Sequence, residues 1–101
     1  MKIGLFQLEN LLSIRNQFVF LDVRLKKEDW PAKLKNVLQP AVHVDQSRNY
    51  LLQQKIPPAT PIMLIDEDGR RADSVARELE DAGYKQIYVV ADGLAGLLSE
   101  L

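Results

Sequence analysis

Cysteine is absent from the sequence. That excludes disulfides, thiolate metal sites and a cysteine nucleophile, and it is compatible with the cytoplasm. Histidine occurs once, as His43. Alone on a short strand, with no nucleophile to activate, it is expected to be structural. Charge of one sign is also lacking: 13 Lys and Arg against 14 Asp and Glu leave a formal net charge of −1. Neither nucleic acid nor an anionic membrane is therefore an expected partner. No apolar run approaches a membrane span, the amino terminus has no signal-peptide pattern, and the expected compartment is the cytoplasm. Repeats and low-complexity segments are missing too. What remains is ordinary for a globular chain, 47% hydrophobic and 27% charged. A length of 101 residues fits a single domain over 1–101, with a real core and little room for a second module.

The chain is organised around Pro61 to Gly83. Ile62-Met63-Leu64-Ile65 is a continuous apolar run that suits a parallel strand covered on both faces. A tight polar loop, Asp66-Glu67-Asp68-Gly69-Arg70-Arg71, follows, and then an amphipathic helix from about Ala72 to Ala82. Val75, Ala76, Leu79 and Ala82 form its apolar stripe, Arg77, Glu78, Glu80 and Asp81 face water, and Gly83 supplies a left-handed stop. A loop between the carboxyl end of a strand and the amino end of a helix is where open α/β sheets place ligands. Backbone N–H groups there favour negative charge.

The rest alternates strand and helix signals. Met1 to Gly4 suits a short strand or entry segment, and Leu5, Leu8, Leu11 and Leu12 place a helix near Phe6 to Arg15. Phe18 to Leu21, bounded by Asp22, reads as an interior strand. Lys26 to Leu38 is charged and loosely helical, and Pro31 requires the helix to begin near Trp30. Ala41 to Val44 is a short strand. Ser47 to Gln54 adds a helical turn or two with Tyr50, Leu51 and Leu52 inward. Ile56 to Pro61 is a stiff connector, Gln86 to Val90 the last strand, and Gly93 to Leu101 a closing helix. Such alternation implies a compact α/β domain with a mostly parallel sheet.

Ile62 to Leu98 in isolation looks like a two-component receiver domain, through IMLIDEDGRR, LEDAGY and ADGLAGLL. A receiver needs its phosphoacceptor aspartate on a later strand and a lysine beyond it. Only Lys85 to Leu101 follow Tyr84, so those strands have no sequence to form from. Another pattern covers nearly the whole chain. Leu21-Asp22-Val23-Arg24 with Glu28, then Gln39 to Val44, then Asp66 to Arg71 with Gly69 inside, then ARELEDAGYKQIYVVADGLAGL, occur in that order. These resemble, respectively, the LDVR…E signature, the IPGA segment, the C-x-x-G-x-R active-site loop and the ending of rhodanese-like domains. The resemblance implies a three-layer α/β fold around a five-stranded, mainly parallel sheet with helices on both faces. It also makes Asp66, Glu67, Asp68, Gly69, Arg70 and Arg71 the equivalents of the active-site loop, with Asp22 and Arg24 bracing it.

Sulfurtransferases of this family pass sulfur through a persulfide on the loop cysteine, and phosphatase relatives use that thiol on phosphate. Here the position is Asp66, and a carboxylate forms no persulfide. The IPGA segment has become Leu38-Gln39-Pro40-Ala41, the usual late GG is Asp92-Gly93, and the tryptophan after it is missing. An anion in the loop would meet the Asp66 charge. At ~4 Å and an effective dielectric near 20 this costs about 4 kcal/mol, roughly a thousandfold in affinity. The helix amino terminus returns only ~0.3–1 kcal/mol. Asp66 is therefore expected to act as a tethered anion that occupies the site itself, and small-anion binding to be weak or absent.

The expected function is that of a binding or regulatory module without catalytic residues, metal or cofactor, partnered by another protein or a fused domain. The alternatives are a hydrolase or phosphotransferase using Asp66 with a divalent metal, and a sulfurtransferase whose cysteine was replaced by mutation. Glu67, Asp68 and Asp22 supply further carboxylates, but consecutive loop residues point different ways, and a solvated acidic turn is the expectation. Arg71 is expected to brace the loop and Arg70 to be solvated. Trp30 reads as core or a helix anchor, and Lys26, Lys27, Lys33 and Lys35 as a solvated basic face.

Overall fold

The computed structural model describes residues 1–14 and 18–101. Five strands, β1 (Lys2–Ile3), β2 (Val19–Asp22), β3 (Val42–His43), β4 (Ile62–Ile65) and β5 (Ile87–Val90), form one sheet in the order β1-β5-β4-β2-β3. Each of its pairings is parallel, with Leu21 opposite Leu64 and Asp22 opposite Ile65 at the centre. The helices are α1 (Leu5–Ser13), α2 (Lys35–Leu38), α3 (Ser47–Gln53), α4 (Arg70–Asp81) and α5 (Gly93–Ser99).

The apolar run of β4 is buried along its whole length because helices cover both faces of the sheet. Side chains alternate between two cores. Ile62 and Leu64 join Leu21, Leu51 of α3 and Ala72, Ala76 and Leu79 of α4. Met63 and Ile65 join Phe20, Leu8 of α1, Leu38 of α2 and Leu97 of α5. The three-layer α/β architecture with a five-stranded sheet is thus present, and the sheet is parallel throughout these pairings.

Several boundaries differ from the sequence reading. α4 starts at Arg70, so Arg70 and Arg71 form its first turn and the loop proper is Asp66 to Gly69. Gly69 makes the earlier start possible: at φ +93° it turns the chain directly into the helix. Leu52 points outward at 58% exposure, while Leu51 is fully buried. Adjacent helical residues do not share a face, and Leu51 holds the inward one. Between Lys26 and Leu38 a short 3-10 turn, Ala32–Leu34, leads into α2, both beginning after Pro31 rather than at Trp30. α1 ends at Ser13, and Arg15 lies outside the described residues.

The chain leaves β2 towards β3 and leaves β4 towards β5, on opposite sides of the sheet. The crevice at the carboxyl ends of β2 and β4 is therefore the topological switch point of this fold. Asp22 ends β2, and Asp66 immediately follows β4.

Candidate functional site at the β4–α4 loop

Asp66 is fully buried. Its Oδ1 accepts the N–H of Gly69 at 2.6 Å and its Oδ2 accepts the N–H of Ala72 at 2.9 Å. The loop closes on its own carboxylate, which takes backbone donors that a bound anion would otherwise use. Three effects compete on its ionisation. Burial raises the pKa of Asp66, the two N–H donors lower it, and the neighbouring charges of Asp68 and Glu67 raise it again. Burial is the largest of these, and the net direction is upward from 3.8.

The other loop acids turn away from Asp66, each to a backbone donor of its own. Glu67 Oε2 accepts the N–H of Leu25 at 3.1 Å, across the crevice. Asp68 Oδ1 accepts the N–H of Arg70 at 3.0 Å, a local turn that helps start the helix. Among the described residues, no three His, Cys, Asp or Glu side chains are grouped so as to hold a metal ion. Arg70 is solvated, with its Nε 3.8 Å from Asp68. Arg71 Nε donates to the Val23 carbonyl at 2.8 Å, tying the first turn of α4 to the end of β2.

That strand end is itself rigidly held. Arg24 forms a two-pronged pair with Asp22, from Nε to Oδ1 at 3.0 Å and from Nη2 to Oδ2 at 2.9 Å. The side chains of both are nearly inaccessible. The guanidinium also donates to the Glu28 carbonyl at 2.7 Å and stacks 3.6 Å from the centre of the Trp30 ring. Trp30 packs against the core beside α2. Nε2 of His43 lies 3.0 Å from the Arg24 carbonyl. Asp22, Arg24, Trp30 and His43 thus make one bracket under the loop, and none of them touches the Asp66 carboxylate through a hydrogen bond. The lysines at 26, 27, 33 and 35 are exposed.

The sequence reading did not find the part played by the start of α5. The N–H of Leu94 donates to the Asp66 carbonyl at 2.8 Å and that of Ala95 to the Glu67 carbonyl at 3.0 Å. Gly93, at φ +57°, permits this approach: a Cβ there would stand 2.6 Å from both the carbonyl oxygen and Oδ1 of Asp66. The Asp92-Gly93 pair was a visible signal of a turn, but nothing in the sequence identifies what the turn rests against.

The chain's first leg through β2, its β4–α4 loop and its closing helix all correspond to one known pattern. The model of the rhodanese-like domain matches residues 7–100. A search of curated proteins gives no match. Among solved structures, a NAD-dependent persulfide reductase from A. fulgidus superposes with a TM-score of 0.63 at 21% identity, over 93% of this chain. The chain spans 15% of the length of that protein. With almost its full length matched by one family model and its architecture repeated in that structure, the chain belongs to the rhodanese-like domain family.

Proposed function

We propose that this chain is a rhodanese-like domain without sulfurtransferase activity, one domain over residues 1–101, serving as a binding or regulatory module. The observation that carries this reading is the double acceptance by Asp66 of the Gly69 and Ala72 N–H groups. A carboxylate so placed both replaces the sulfur carrier and competes with any thiosulfate or phosphate for the same donors. The chain offers no thiol. A nucleophilic role for Asp66 with a divalent metal is disfavoured by the same geometry, since each of its oxygens already faces a backbone donor and the residue has no exposed surface.

The partner class that fits is another protein or a fused domain. In the persulfide reductase the matching stretch is a small part of a far longer chain, which supports the fused arrangement. A cytoplasmic setting agrees with the lack of cysteine, and no helix among the described residues is long and apolar enough to cross a membrane.

Assays of the purified chain test the reading. Thiosulfate:cyanide sulfur transfer and phosphomonoester hydrolysis, the latter with and without magnesium, should stay at the uncatalysed rate. Turnover that is lost on Asp66→Asn substitution would show an enzyme and end the proposal.

A further inference from the structure

We infer that α5 is a latch over the Asp66 loop, undocking as a unit while the sheet stays folded, and that its opening controls a partner's access to Asp66. This deepens the regulatory reading above and rests on it for the importance of the loop. The opening itself follows from how α5 is held.

Little in α5 sustains it alone. It spans 7 residues, GLAGLLS, well short of the ~12–15 at which an isolated helix becomes even marginal in water. Gly93 and Gly96 lie within it, and glycine favours a helix less than alanine does. It carries no charged side chain, and none of the ion pairs among the described residues involves it. Its apolar docking rests on Leu97, fully buried, and on Leu94, partly buried, while Leu98 is 44% exposed. The other ties are polar and lie at its two ends. At the start, the Leu94 and Ala95 N–H groups donate to the Asp66 and Glu67 carbonyls. Just past the end, Glu100 Oε2 accepts the Leu5 N–H at 3.0 Å, clasping α5 to the first turn of α1. Glu100 is exposed, and a bond within reach of water is exchanged for water at little net cost.

The loop lies directly beneath this helix. Asp66 has no exposed surface, and Gly93 is part of its cover, since a Cβ there would stand 2.6 Å from Oδ1. The residue before α5 closes on the loop as well: a Cβ at Gly69 would lie 3.2 Å from the Asp92 nitrogen. Lifting α5 uncovers the Asp66 carboxylate and the Gly69 N–H that it accepts. It leaves α4 in place, because Ala72, Ala76 and Leu79 pack in the core on the opposite face of the sheet from Leu97. A partner that reads the loop therefore meets it only in the open fraction, and its apparent affinity falls by that fraction.

Native-state hydrogen exchange of the full chain in low urea tests this. The amides of Leu94, Ala95 and Gly96 should share one opening, with protection at least about tenfold below that of Val23 and Ile62, whose N–H groups join β4 to its neighbours. That opening should also depend less on urea, because it exposes less surface than global unfolding. Gly69, the donor to Asp66 Oδ1, should exchange through the same opening. Glu100→Ala, at an exposed side chain, should speed all four amides by one common factor of about fivefold, the loss of one cap. The inference is overturned if the α5 amides open only together with Val23 and Ile62, or with unequal opening constants among themselves. It is equally overturned if Gly69 keeps its protection when theirs falls. Sulfur-transfer and phosphatase assays do not register this opening, so failure here and failure of the reading of Asp66 are separate results.

Discussion

Asp66 accepts the backbone N–H of Ala72 at 2.9 Å, so the residue that ends the β4 approach also caps the helix that follows it. A side-chain cap of this kind is worth about 0.5–2 kcal/mol. The same contact places a carboxylate where no water reaches it. Stability and ionisation of this loop are therefore linked.

The first prediction is a pH dependence with a definite sign. Burial raises the Asp66 pKa above 3.8 in the folded chain. The folded state thus holds this proton more tightly than the unfolded state. Its contribution is fully present below the unfolded value and is lost as pH rises through the folded pKa, since the native state binds more protons than the denatured one in that window. Urea midpoints of the parent and of Asp66→Asn, measured from pH 3 upward, should diverge across this window, with the variant gaining relative to the parent. Parallel curves would mean that the two N–H donors fully offset the burial.

Gly93→Ala should be costly and Gly83→Ala mild. At Gly93 the added Cβ would press on the Asp66 carbonyl oxygen and Oδ1 at 2.6 Å and on the Asp68 nitrogen at 2.7 Å, all in a left-handed backbone. Overpacking and backbone strain together cost about 2–4 kcal/mol. At Gly83, φ +100°, a Cβ would meet nothing within 4 Å, which leaves only the backbone term of about 1–2 kcal/mol. Denaturant unfolding of the two variants side by side measures the difference. Equal losses would show that α5 does not press on the loop.

Much of this was legible in the sequence, for identifiable reasons. The apolar run of β4 and the stripe of α4 follow from periodicity, and the left-handed stop at Gly83 from glycine's freedom. The spacing from Asp22 through Gly69 to Gly93 carried the family. What stayed hidden were partners rather than residue types. Nothing in the letters says that Asp66 turns back to Ala72, that Gly93 rests on Asp66, or that Arg71 reaches Val23. The polar run from Asp66 to Arg71 reads as a single loop, which puts the start of α4 two residues too late. The helical state of Arg70 and Arg71 depends on Asp68 and Gly69 closing the turn. Leu52 was placed inward by its chemistry alone, although Leu51 already fills that face.

The buried pair under the loop gives a third prediction. Arg24→Ala would leave the Asp22 carboxylate buried without its partner, at a cost of about 3–5 kcal/mol. It would also strip the cation from the face of Trp30, so the fluorescence of the chain's single tryptophan should change in the folded state. The double variant Asp22→Ala/Arg24→Ala should lose clearly less than the sum of the single losses, because the second substitution removes the stranded charge. Urea unfolding of the four proteins closes the cycle. Additive losses would mean that the two side chains stabilise the fold independently despite their 2.9 Å contact.

Replacing Asp66 itself separates its charge from the shape of its loop. In Asp66→Ala the Gly69 and Ala72 N–H groups lose their acceptor and the Asp66 charge disappears, while those of Glu67 and Asp68 remain. Removing a repulsion of about 4 kcal/mol at ~4 Å should raise sulfate affinity, by up to roughly a thousandfold. Sulfate titration followed at the Gly69 and Ala72 amides reads this directly, and a weaker response than in the parent would contradict the tethered-anion account. In Asp66→Cys the same donors would face a thiol, which they favour as thiolate at a helix amino terminus. Thiosulfate:cyanide transfer should then rise above the parent's background if Glu67 to Gly69 keep the curvature of active family members. A folded Cys variant that binds sulfate but transfers no sulfur would place the difference in the loop's shape, with Gly93 and the start of α5 as the elements to alter next.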